Sequence, residues 1–126
     1  MIQVVYEVQD AWPQEGALRL SVPTLEAEVA VSPVVAQRRA KGYLTAEVAL
    51  AFRPGDPVLV MGVRQVWRMP VYLHLRSCGQ VGQLGMIDVD AHSGEVLALS
   101  RVQISAMQER ADELAAHFTP APTAAG

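Results

Sequence analysis

Residues Met86 to Leu97 read M-I-D-V-D-A-H-S-G-E-V-L, and the structure assigned to this stretch decides the fold. Ile87 and Val89 alternate with Met86, Asp88 and Asp90, which is the two-residue period of a strand with one buried face. Ala91-His92-Ser93-Gly94 then turns the chain, because Gly94 is free to take the positive φ that a short hairpin loop demands. Val96, Leu97 and Leu99 are predicted to carry the return strand. Such a hairpin fixes an architecture and leaves the activity open.

Upstream, Trp67, Met69, Val71, Leu73 and Leu75 alternate with Arg68, Pro70, Tyr72, His74 and Arg76, so a second strand is predicted there. Proline cannot donate to a ladder, and Pro70 therefore argues against a central place for it. Ser77 to Gly85, with Gly79, Gly82 and Gly85 at three-residue spacing, is expected to be a flexible connection into the hairpin. Val58 to Val63 is apolar on both faces, as a covered central strand or a subunit contact requires. Arg53-Pro54-Gly55-Asp56-Pro57 precedes it as a breaker.

A helix is predicted from Pro33 to about Phe52. The Ser32 hydroxyl can accept an orphan backbone N–H, and proline in the first turn loses nothing by lacking its own. Ala36, Ala40, Leu44, Val48 and Phe52 recur every four positions on its core face, and the small residues with Gly42 suggest close approach to a sheet. Nearer the start, Ile2 to Val8 and Leu18 to Val22 alternate as two strands expected to pair, and Leu25 to Val31 reads as a third extended segment or a short helical turn. Near the end, Ile104, Met107, Ala111, Leu114 and Phe118 repeat at steps of three and four, which predicts a helix capped either by Ser100 with Gln103 or by Ser105 with Gln108. Together these segments predict one α+β domain over residues 1–118, an antiparallel sheet of five to seven strands with a long helix packed across it and a C-terminal amphipathic helix. Thr119 to Gly126 lacks apolar bulk and is expected to be a disordered tail.

The 126 residues suit a single core, and 51% hydrophobic with 18% charged residues is a globular balance. A net charge of −3 argues against a nucleic-acid partner. The longest apolar run, Val58 to Val63, falls far short of the roughly 20 residues a membrane span needs. The start Met1-Ile2-Gln3-Val4-Val5 lacks the charged onset and apolar stretch of a signal peptide, and the single Cys78 allows no internal disulfide; both point to the cytoplasm.

Candidate chemistry is sparse. Asp88, Asp90, His92 and Glu95 resemble the opening of a calcium loop, but the sixth and twelfth positions are Ser93 and Leu99 where glycine and glutamate are needed, so a solvated hairpin is expected and no metal. Cys78 and His74 are four residues apart on different elements with no third orienting group, which makes a poor nucleophile and base. Gly79, Gly82 and Gly85 lack the spacing and lysine of a phosphate loop. Arg38, Arg39 and Lys41 form a basic cluster whose ordinary role is a wet helix face, and His117 complements a helix C-terminus. The best place for a ligand is the polar face carrying Arg68, Tyr72, His74 and Arg76 beside Asp88 and Asp90, provided that face is concave and open; paired charges across strands are the alternative.

Residues 32–99, ending in Ile87-Asp88-Val89-Asp90-Ala91-His92-Ser93-Gly94-Glu95-Val96-Leu97, resemble the PepSY-like domains, in which a helix packs on an antiparallel sheet whose last hairpin reads approximately V-D-A-x-T-G-E-V. The resemblance implies a non-catalytic role in inhibiting or regulating a protein partner. The expectation is accordingly a non-enzymatic, cofactor-free interaction or regulatory module, a homodimer or the ligand of another protein. The alternatives are a small-molecule-binding domain or small enzyme using the polar sheet face, and an antitoxin-like inhibitor.

Overall fold

The computed structural model describes residues 3–7 and 29–118. In chain order these form β1 (Val4–Tyr6), α1 (Pro33–Glu47), β2 (Phe52–Pro54), β3 (Val58–Met61), β4 (Gln65–Leu75), β5 (Gly79–Asp90) and α2 (Arg101–Phe118). The fold is α+β: five strands make one sheet, in which β1 lies beside β3, β3 and β2 occupy successive parts of one edge of β4, and β5 runs along its other edge. The predicted strand over Leu18 to Val22, its pairing with the first strand, and the tail lie outside the described residues.

Three of the strand pairings around β4 are antiparallel, whereas β1 runs parallel to β3, with Val4 opposite Leu59 and Tyr6 opposite Met61. The sheet is therefore mixed. A parallel neighbour needs a long crossover, and the segment between β1 and β3 is long enough to contain α1.

Helix α1 starts as its sequence predicts. Ser32 is the N-cap, its Oγ accepting from the Val35 amide at 3.2 Å, and proline occupies the first turn. It stops at Glu47, however, and Phe52 belongs to β2, opposite Leu73. The Val48 and Ala49 amides both donate to the Leu44 carbonyl, at 3.0 and 2.8 Å, which closes the helix and turns the chain into the strand. Ala36, Ala40 and Leu44 are wholly buried on its inner face. The Arg53–Pro54 part of the predicted breaker is in fact the end of β2.

The core gathers Trp67, Met69, Val71 and Leu73 of β4 with Ile87 and Val89 of β5, the three α1 residues, and Met107 and Ala111 of α2. Both helices thus cover the same face of the sheet. Trp67 is buried to 1% exposure with its indole N–H donating to the Val31 carbonyl at 2.8 Å, so its one polar group is satisfied.

Pro70 lies in the middle of a central strand, against the expectation from its missing donor. The Gly55 amide donates to the Pro70 carbonyl at 2.7 Å, so the proline nitrogen faces the same side, where β2 has ended and β3 has not begun. No ladder bond is lost, because the gap between the two neighbours falls at this residue.

Gly79 to Gly85 is likewise not a flexible connection but the first half of β5, reached by a tight turn at Arg76 to Cys78. The pairing with β4 slips between Val71 and Tyr72 and again between Leu73 and His74, leaving Leu84 and Val81 without partners in the register. Each slip adds one residue to the strand period of two, so glycines three apart return to one face. That face receives α2: a Cβ on Gly82 would stand 2.8 Å from Leu114 Cδ1, and one on Gly85 2.6 Å from Met107 Cε. At its own start α2 is closed by the first of the two predicted capping boxes, with the Gln103 amide donating to Ser100 Oγ at 3.1 Å and the Ser100 amide to Gln103 Oε1 at 2.8 Å.

Candidate functional site

The hairpin turn holds as the sequence requires. Gly94 has φ of 78° and its amide donates to the Asp90 carbonyl at 2.9 Å. The Asp90 carboxylate accepts from the His92 and Ser93 amides, both at 2.8 Å, and these bonds, Ser93 first, hold its pKa below the ordinary aspartate value. The return arm is shorter than predicted: a single bridge joins Val96 to Val89, flanked by bonds from the Asp90 amide to Glu95 and from the Leu97 amide to Asp88. Asp90 is thus occupied in shaping its own turn, with Arg64 at 3.6 Å as an exposed neighbour.

On the sheet face away from the helices, Arg68 and Asp88 stand opposite each other on β4 and β5. The Arg68 guanidinium makes a two-point contact, Nε to Oδ1 at 2.9 Å and Nη2 to Oδ2 at 3.0 Å, and its Nη1 donates to Glu7 at the end of β1. The side chains are 30% and 22% exposed, which leaves the pair half screened from water. The hydrogen bond to Asp88 outweighs the desolvation of Arg68 and, with the Glu7 contact, holds its pKa above the ordinary arginine value. Three strands are tied by one cation.

Tyr72, on the same face, covers Gly55, where a Cβ would come within 2.5 Å of its ring. His74 is exposed at the far end of β4, and Arg76 is exposed in the turn that follows. The six residues singled out from the sequence therefore divide: Arg68 and Asp88 meet each other, Asp90 caps the turn, and Tyr72, His74 and Arg76 stand apart from that pair. Cys78 and His74 have different surroundings, since the Cys78 Sγ lies 3.4 Å from Ser77 Oγ and 3.9 Å from the Phe118 carbonyl. Among the described residues no group of three or more His, Cys, Asp or Glu side chains comes together as a metal centre.

His74 belongs to another feature, a cleft of about 600 Å³ where the outer side of α1 meets β2. Its walls are Val34, Gln37, Arg38 and Lys41 from α1, Arg53 and Pro54 from β2, and His74. Gln37 bridges the two elements, its Nε2 donating to the carbonyls of Gly55 at 3.0 Å and Pro54 at 3.5 Å. Among the described residues no carboxylate lines the cleft and none of its cations takes part in an ion pair. The sequence contains one half of the signal: Arg38 and Lys41 are three apart and share a helix face, whereas Arg39 between them does not reach the cleft. The other half is hidden because Arg53 and His74 are brought alongside only by the register of β2 on β4.

No helix among the described residues is long and apolar enough to cross a membrane. No protein-family model matches this chain, and no curated protein or solved structure is significantly similar to it.

Proposed function

We propose that this chain is a non-enzymatic interaction or regulatory module of the cytoplasm, working as a homodimer or on another protein, in keeping with its resemblance to PepSY-like domains. The observation that supports this reading most is the use made of the sheet-face charges. Arg68 is committed to Asp88 and Glu7, and Asp90 to its own turn. A reacting group must be free to exchange partners or protons in the transition state, and groups held in two-point pairs are better suited to fixing the shape of a surface.

The test is co-purification of the tagged chain from its native host, combined with sedimentation and with the Arg68→Met variant. The reading expects a stoichiometric complex, with a second copy or a defined protein, and an Arg68→Met variant altered chiefly in stability. A persistent monomer that converts a small substrate, and stops doing so on Arg68→Met, would contradict it in favour of an enzyme on the polar sheet face.

A further inference from the structure

We propose that the cleft between α1 and β2 is a binding site for a compact phosphate-bearing anion, held by Arg38, Lys41, Arg53 and His74. On a chain of net charge −3, Arg38, Lys41, Arg53 and His74 converge on one concavity that no acid lines among the described residues. Like charges gathered on one side of the molecule repel one another, and the arrangement is relieved when an anion enters. The volume lies within the roughly 300–1,000 Å³ usual for small-ligand sites.

The backbone beside the cleft decides between a small anion and an acidic peptide. The His74 amide donates to the Ala51 carbonyl and the Gly55 amide to the Pro70 carbonyl, so by strand alternation Arg53 also turns its backbone groups toward β4 while Phe52 and Pro54 turn theirs to the outward edge of β2. The Phe52 amide already donates to Ala49 at 3.3 Å, and Pro54 has no amide to offer. An incoming strand therefore finds no backbone donor there, and recognition falls to the side chains. Two guanidinium forks and an ammonium suit the oxygens of a phosphate or diphosphate. Val34, 65% exposed, and Pro54 supply an apolar wall against which a nucleoside or similar group attached to the phosphates would rest.

The full chain is titrated calorimetrically with inorganic pyrophosphate, a nucleoside diphosphate and an oligoglutamate peptide. Pyrophosphate is expected to bind saturably, more tightly than oligoglutamate, and to weaken as salt rises. Replacing both Arg38 and Arg53 by serine should weaken it by roughly tenfold or more, with unchanged melting, because two charge-assisted contacts are lost from exposed positions. Lys41→Glu provides a second reading should the double variant melt early. A nucleoside diphosphate binding no tighter than pyrophosphate limits the site to phosphate itself; tighter binding that is lost on Val34→Asp assigns it to a nucleotide-like ligand. Absence of saturable pyrophosphate binding, binding indifferent to both variants, or preference for oligoglutamate overturns the proposal. Hydrolysis of the bound pyrophosphate would instead refute the non-enzymatic reading while leaving the site standing.

Discussion

Arg68 and Asp90 show how two charged side chains of one surface serve different ends. The Arg68 pair is a cross-strand contact with both partners partly shielded, and such two-point pairs exceed ordinary surface ion pairs. A double-mutant cycle with Arg68→Met and Asp88→Asn should give a coupling of about 1 kcal/mol in chemical denaturation. A coupling indistinguishable from zero would mean that the pair adds nothing to the sheet. For Asp90 the sign follows from its lowered pKa: the folded protein holds the carboxylate ionised to lower pH than the unfolded chain does, so the stabilisation is complete above the unfolded value and lost as pH falls through the folded one. The stability gap between the parent and Asp90→Ala should be constant above about pH 5 and close on further acidification. A gap that persists undiminished in acid would show that the turn does not depend on the charge. The Gly94 turn was legible from residue type and spacing, and the cap of α2 was narrowed to Ser100–Gln103 or Ser105–Gln108, because each acts over a few residues of chain; the sequence reading placed Asp90 on the polar strand face and missed its hold on the turn.

At the scale of elements, short-range chemistry stops being sufficient. Alternation identified β4 and the second half of β5, and the four-residue repeat identified the inner face of α1. It could not show that Phe52, in phase with that repeat, turns into a strand, since the choice is made by pairing with Leu73. Pro70 and the glycines misled for the same reason. Proline is tolerated at a position facing a gap between two other strands, and the Gly82 and Gly85 surface has meaning only against Met107 and Leu114. The seat of α2 on β5 therefore yields a sharp expectation. Gly85→Ala should destabilise the protein by no more than about 1 kcal/mol, because the atom in the way is the terminal methyl of Met107, and hydrogen exchange should speed up in α2 before it does in β4. In a Met107→Ala background, which lacks the obstructing thioether and is itself destabilised by the emptied volume, Gly85→Ala should cost less than it does in the parent. If Gly85→Ala is neutral and α2 exchanges unchanged, the close approach of helix to strand is not what those glycines provide.

Across the described residues, two helices share one face of a mixed sheet, and two groups of charged side chains stand at different places on it. On the open face, opposite charges meet and are spent on tying β1, β4 and β5 together. At the margin between α1 and β2, cations collect without an ion-pair partner among the described residues. The polar sheet face was the surface a linear reading singled out, because Arg68, Tyr72, His74, Asp88 and Asp90 lie on consecutive strands; the cleft draws residues from positions 34 to 74 and is visible only once β2 is laid on β4. Nuclear magnetic resonance mapping of backbone amides during a pyrophosphate titration separates the two surfaces directly. The account predicts saturating shifts at Arg38, Lys41, Arg53 and His74 with Arg68 and Asp88 unmoved; shifts centred on Arg68 and Asp88, with the α1–β2 margin silent, would contradict it.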